Sequence, residues 1–454
     1  MGTTRRALLV LLATAGLLGL AACSESAPDE SAGGPDDSAG TTESTLRGPT
    51  CGSNITVGAC LEGQETSIGV VPESPEDVPE GEPIVVGMIN QENTAGGSFP
   101  EVRLAVEAGV DFINSELGGI DGRPIELRTC ITEFSVESSQ ACAQQMVSDG
   151  AVAVLGGIDV LSDGSIPVLE DNGIPYVGGI PVGAAEVQSD TSFIFSGGSA
   201  GAMAAFADDA IQNGAETVSV AYADFASISG AAQDYAVAPL EAAGVEVREV
   251  EFGVVTTDFL PVITQAAEGN PDAIIVAAAD SACAPIMRTV QDLGVDSQLY
   301  LVGACVAPEI IEEVGEDAAT GTIFNVEGLL DLDDEPVFQA DTDLYIQVIE
   351  NYATDLDWAG AGTVSFRGLM NLYNVMAELG ADDISPESIT AAFQAAVDEP
   401  SFNGHPYTCD GEQIPGLPGL CSPQQVLGQR EDGSLVQVSD GWVDVPALVA
   451  EQAS

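Results

Sequence analysis

IVVGMINQENTAGG (84–97) and the stretch that follows it, EVRLAVEAGVDFINSELGGIDGRPIEL (101–127), decide the fold. The first opens with a short continuous apolar run and then breaks into polar and glycine residues. The second carries apolar residues at helical spacing, a glycine-rich turn, and a new apolar run. A strand that is apolar on both faces, followed by an amphipathic helix, predicts a parallel sheet covered on both sides. The pattern continues with VESSQACAQQMVSD (136–149) as a helix, AVAVLGG (151–157) as a strand, SIPVLEDNG (165–173) as a helix stub and IPYVGG (174–179) as a strand.

A second series repeats the alternation. AGAMAAFADDAIQNG (200–214) predicts a helix, TVSVAYA (217–223) a strand, ISGAAQDYAVAPLEAAG (228–244) a helix and VEVREVEF (245–252) a strand. FLPVITQAAEG (259–269), DAIIVAAA (272–279), IMRTVQDLG (286–294) and LYLVGA (299–304) extend it. Helices YIQVIENYATDL (345–356), SFRGLMNLYNVMAELG (365–380) and ESITAAFQAAV (387–397) follow. SLVQVSDGWVDV (434–445) predicts terminal β-structure. Open α/β sheets bind ligands beyond the carboxyl ends of their strands. Six loops therefore become candidates for one cleft: 90–97, 156–164, 178–183, 223–227, 278–284 and 303–308.

Composition narrows the function classes. The 454 residues carry 72 acidic and 10 basic side chains, a formal net charge of −62, and every basic residue is arginine. That surface repels nucleic acid and anionic lipid headgroups. It suits either salty surroundings, where screening relieves self-repulsion, or a proteome biased toward acids. The absence of lysine excludes a Schiff base and a Walker lysine together. His405 is the single histidine, so no Ser-His-Asp or Cys-His arrangement has a partner to build on beyond it. No cofactor motif and no metal-ligand spacing occurs, and DLDDE (331–335) lacks the glycine turn of a calcium loop and reads as a solvated face. No catalytic residue is assigned. A carboxylate-dependent surface hydrolase stays open only because any two of 72 acids can be paired.

The N-terminus reads MGTTRRALLVLLATAGLLGLAAC: two arginines, an apolar core shorter than the ~20 residues of a membrane span, and small residues before Cys23. Residues 1–22 are expected to be a signal peptide and Cys23 a lipidated N-terminus, since LAAC resembles the lipobox of bacterial lipoproteins; the alternative is an ordinary signal that contains a cysteine. Residues 23–82 are expected to be a tether with a small Cys-stapled segment. Nine cysteines less Cys23 leave eight, an even number suited to an oxidising compartment. Proximity favours Cys51–Cys60, Cys130–Cys142, Cys283–Cys305 and Cys409–Cys421, among 105 pairings that eight cysteines allow.

Together VGMINQENTAGG, RLAVEAGVDFINSELGGIDGRPIEL, SVESSQACAQQMVSDGAVAVLGG, SIPVLEDNGIPYV and TTDFLPVITQAAEGNPDAIIVAAA resemble the branched-chain amino acid binding family, the type I periplasmic solute-binding proteins of ABC transporters. The resemblance implies two Rossmann-like lobes joined by a three-strand hinge, lobe one at 83–200 with 328–398 and lobe two at 201–327 with 399–446. It implies capture of a small solute by lobe closure, delivery to an ABC permease, no conversion, and a monomer held on the outer face of the membrane by its anchor. A sensor of the same fold without a transport partner is the other reading. Ligand contacts implied or suggested are Thr94, Ser98, Asp159, Ser162, Ile180, Tyr222, Phe225, Asp280 and Ala304. The sequence departs from the family at Ile180 and Pro181, where a small residue and a threonine are common, and at Ala304 and Cys305, where an acid often meets the ligand's ammonium. These departures leave an amide, a urea-like solute or a small organic acid as open as an ordinary amino acid.

Overall fold

The computed structural model describes residues 51–452, apart from 53–54, 95–96, 328–335, 357 and 359–361. The expected signal peptide, Cys23, most of the tether and DLDDE lie outside the described residues. The first sheet is built from β1 (Ile84–Gln91), α1 (Pro100–Glu116), β2 (Ile125–Thr132), α2 (Val136–Asp149), β3 (Ala153–Gly156), α3 (Ile166–Asp171), β4 (Tyr176–Val177) and β5 (Ser192–Phe193). Its order is β2-β1-β3-β4-β5 and every pairing is parallel, with Val86 opposite Leu127 and Met88 opposite Leu155. The second sheet follows α4 (Gly198–Gln212). Its strands are β6 (Thr217–Ala223), β7 (Glu246–Phe252), β8 (Ala273–Ala277), β9 (Gln298–Leu301) after α5 (Cys283–Leu293), and β10 (Ile323–Val326). The chain then returns to lobe one as α6 (Pro336–Tyr352), α7 (Gly362–Leu379) and α8 (Pro386–Gln394), and ends in lobe two with β11 (Val426–Glu431) and β12 (Ser434–Gln437). The second sheet runs β7-β6-β8-β9-β10-β11-β12, parallel except for the last two strands.

Both sheets have the same 2-1-3-4-5 beginning, the doubly wound order with its switch point beside the first strand. Helices cover both faces. On the first sheet, Val86, Met88 and Leu155 pack with Phe112 of α1 and Phe366 and Leu369 of α7, while Ile89, Val154 and Tyr176 pack with Ala143 and Met146 of α2. Phe193 and Phe393 stack at 4.9 Å, which fixes α8 against the edge of this sheet. The second sheet is covered by α4, with Phe206 tilted on Tyr300 at 5.4 Å, and by Ile286 and Met287 of α5.

The molecule corrects the segmentation in two places. Residues 57–72 are not tether: a short helix, Val57–Leu61, and a two-stranded turn, Glu65–Thr66 with Gly69–Val70, put Val57, Leu61 and Val71 into the lobe-one core. The amide of Val57 donates to Glu116 Oε2 at 2.9 Å and Asn351 Nδ2 donates to the Ile55 carbonyl at 2.8 Å. Polar composition hid these few apolar anchors. Residues 399–421 also pack on lobe one instead of lobe two, with Phe402, Tyr407, Cys409 and Cys421 in its core and Ile194 bridged to Leu420. The disulfides are Cys51–Cys60, Cys130–Cys142, Cys283–Cys305 and Cys409–Cys421. Among the described residues no helix is long and apolar enough to cross a membrane.

Candidate functional site

The chain passes between sheets at 194–198, after β10 by way of Glu327, and at 422–425. The first two crossovers leave the carboxyl ends of β5 and β10, so the carboxyl edges of both sheets lie on the hinge side. Lobe one presents three loops there. The loop after β1 is closed on itself: Thr94 Oγ1 donates to the Gly97 carbonyl at 2.7 Å, and Ser98 Oγ accepts from the amide of Asn93 at 3.0 Å. Asn93 takes the left-handed conformation (φ 59°) that lets this turn form. Ser98 is exposed and Thr94 half-buried.

The loops after β3 and β4 are fastened from beneath by two buried carboxylates. Asp159, 1% exposed, accepts from Ser139 Oγ at 2.6 Å, Thr132 Oγ1 at 3.2 Å and Ser165 Oγ at 3.4 Å. Burial raises its carboxyl above the usual range while these hydroxyls pull it down. Glu186, also 1% exposed, accepts from the amides of Val182 and Gly183 at 2.9 Å each and from the Tyr176 hydroxyl at 3.0 Å. Burial, with Asp159 nearby, pushes Glu186 up to about 8. The amide of Ile180 donates to the Gly157 carbonyl at 3.1 Å, which joins the two loops directly. Gly178 and Gly179 have φ of 71° and 87°, and a Cβ on Gly178 would stand 2.8 Å from the Cα of Gly368 in α7. Only glycine fits both the backbone sign and that approach.

Several expected contacts therefore have other work. Asp159 and Ser162 are buried, Asp159 spent on three hydroxyls and Ser162 Oγ without a hydrogen-bond partner among the described residues. Tyr222, 3% exposed, points into the lobe-two core and donates to Glu249 Oε2 at 2.6 Å. Strand alternation sends its ring to a helix-covered face rather than to the strand end. Ile180 and Phe225 are half-buried, and Ala304 is exposed in a short turn, Gly303–Val306, which Cys283–Cys305 ties to the start of α5. Asp280 opens the turn Asp280–Ala282; its side chain lies outside the described part. Glu186 was missed, although a glycine followed three residues later by glutamate is half of a capping box.

At the carboxyl ends of the strands lobe one is apolar, where Val160, Leu161, Ile180 and Val182 are partly exposed. On lobe two these ends are small and acidic, with Asp224, Ala279, Ser281 and Ala304 exposed. The described arginines are engaged elsewhere: Arg103 on Glu92 and Glu107, Arg123 on carbonyls of Glu82 and Ala381, Arg128 on Glu126, Arg248 on Glu268, Arg288 on Glu313, Arg430 on Glu316, and Arg367 inside the hinge. A cavity of about 720 Å³ opens at the amino ends of β8 and β9, beside Asp209, Asp272 and Trp442, on the side away from these loops.

The periplasmic binding protein family model matches residues 83–411, and the chain belongs to that family, the solute-binding components of ABC transport systems. The matched part is an extracytoplasmic binding domain. Solved structures share the fold at low identity. A leucine-binding protein LivK from Thermotoga maritima is 20% identical, with a TM-score of 0.65 over 78% of this chain and 98% of its own. A solute-binding protein from Rhodopseudomonas palustris in complex with 3,4-dihydroxybenzoic acid is 17% identical, with a TM-score of 0.66 over 80% and 99%. A leucine-, isoleucine-, valine-, threonine- and alanine-binding protein from Brucella ovis, in its closed conformation, is 17% identical, with a TM-score of 0.64 over 79% and 95%. No curated protein matches the chain by sequence.

Proposed function

We propose that this protein is a lipoprotein, anchored at Cys23 on the outer face of the membrane, that captures one small solute between its lobes as a monomer and hands it to an ABC permease. The observation that carries the reading is the loop floor of lobe one. Its β3 and β4 loops are held by Asp159 and Glu186 and leave Val160, Leu161, Ile180 and Val182 partly exposed. Rigid loops lose little entropy when a ligand arrives, so the contacts they make act at nearly full strength.

The solute then has an apolar body and a polar end that fits backbone amides and the hydroxyls of Thr94 and Ser98. Relatives of this fold include one named for leucine and one holding an aromatic acid, and the amino acid, amide, urea-like and small organic acid classes are the ones to test. Phe225 supplies an aromatic wall from lobe two, and Asp224 favours a ligand that carries no net negative charge. Ala304 and Cys305 offer no carboxylate to an ammonium group, so an amine would rely on Asp224 or Asp280.

A thermal-shift panel of these four classes, on the oxidised chain from residue 24 onward in molar salt, tests the reading. A saturable rise for one class identifies the cargo, because a ligand that binds only the native state stabilises it. A folded, solute-free sample that responds to none of them removes the solute-capture reading for these classes.

A further inference from the structure

Two of the three crossovers meet on one charged side chain, and the third joins them through Glu327. Arg367, in the first turns of α7, is 3% exposed. Its Nη1 donates to the Phe195 carbonyl of the first crossover at 2.8 Å, and its Nη2 donates to the Glu327 carbonyl of the second. Nη2 also donates to the Asn403 carbonyl at 3.0 Å, in the segment that leads to the third. The Glu327 carboxylate closes the ring. Its Oε1 accepts from the amide of Gly197 in the first crossover at 3.0 Å and from Gln425 Nε2 in the third at 2.9 Å. Gln425 Oε1 in turn accepts from Asn325 Nδ2 at 2.8 Å, at the end of β10.

The same helix supports the ligand loops. Ser365 Oγ donates to the Gly156 carbonyl at 2.9 Å, where the β3 loop begins, and Gly368 lies against Gly178, where the β4 loop begins. Room for the guanidinium is reserved: a Cβ on Gly404 would come within 2.7 Å of its central carbon. Burying a charge is unfavourable unless it is fully compensated, and an apolar side chain would fill the same space at less cost. A planar fork of donors is, however, the side chain able to hold several separate carbonyls at fixed angles.

We propose that Arg367 is a positioning residue for lobe closure, joining the three crossovers into one unit with Glu327 and coupling that unit to the β3 and β4 loops through α7. No crossover can rotate alone without losing a hydrogen bond to Arg367 or Glu327. Occupation of the loops and the angle of the hinge are thereby linked through one helix turn. The proposal rests on the solute-capture reading for its purpose, but its geometry does not need a solute.

The test is small-angle scattering of the solute-free, oxidised chain from residue 24 onward, with melting measured in parallel. Arg367→Met and Glu327→Ala are expected to raise the radius of gyration by about 1 Å on the ~21 Å of a compact chain of this size. Glu327→Gln keeps the acceptor and is expected to scatter like the parent. A purely structural role would lower the melting temperature and leave the scattering of the folded variants unchanged, and that result overturns the proposal. Should the arginine variant fail to fold, hydrogen exchange on the parent decides. Amides at 194–198, 327, 422, 424 and 425 are expected to open as one unit, and three independent rates overturn the coupling. Because no solute is present, failure here leaves the capture reading standing, and an unresponsive solute panel leaves the hinge result standing.

Discussion

Glu186 is where a single residue decides most. Its carboxyl lies under the β4 loop, takes the amides of Val182 and Gly183 and the Tyr176 hydroxyl, and has Asp159 for a neighbour. Burial holds its folded value at about 8 against an ordinary value of 4.5. Between those two pH values the folded chain keeps a proton that the unfolded chain has released. The native state thus binds more protons, and stability falls as pH rises through that window. Below 4.5 the group makes no difference, and above about 8 the full penalty is present. Glu186→Gln, which mimics the protonated form, is expected to flatten this part of the melting-temperature profile between about pH 5 and 9. Parallel profiles for the two proteins would show that Glu186 is not the titrating group. Asp159 shifts the same way, so the slope that disappears belongs to the coupled pair.

At the scale of elements, the α/β alternation was legible because strands buried on both faces and helices with one apolar face leave different periodicities. The β1, α1, β2 run and the parallel sheets follow from it, whereas the 2-1-3-4-5 orders are set by pairings that periodicity does not record. What was hidden depends on contacts far apart in sequence. Residues 57–72 contribute only Val57, Leu61 and Val71 to a core made by α1, α6 and α7. No local pattern distinguishes three such residues from a polar spacer. Tyr222 and Ser162, expected as ligand contacts, are buried for a related reason: the direction of each side chain is set by the sheet and by Gly183 above Ser162. The stapled element tests the first correction. Leu61→Ala removes a fully buried side chain and is expected to cost about 2–5 kcal/mol in chemical denaturation of the whole lobe. If residues 57–72 were a detached tether, the substitution would leave the transition where it was.

Charge governs the molecule as a whole. A net −62 confined to one chain repels itself, and only 10 arginines stand against 72 carboxylates. Three of the seven described arginines, Arg128, Arg248 and Arg288, sit on acid partners at the surface, where such pairs contribute little in screened solution. The long-range repulsion is different, because it sums over many carboxylates and is felt whenever the Debye length exceeds their spacing. That length is about 30 Å at 0.01 M salt and about 3 Å at 1 M. Melting temperature is therefore expected to climb steeply as sodium chloride rises through that range and then to level off. Choline chloride at equal ionic strength should act alike, because screening does not depend on which cation supplies it. A rise produced by sodium sulfate alone, with chloride salts inert, would place the stabilisation in exclusion of salt from apolar surface and not in relief of repulsion. The acidic surface would then be neutral for folding, and its role would lie in solubility alone.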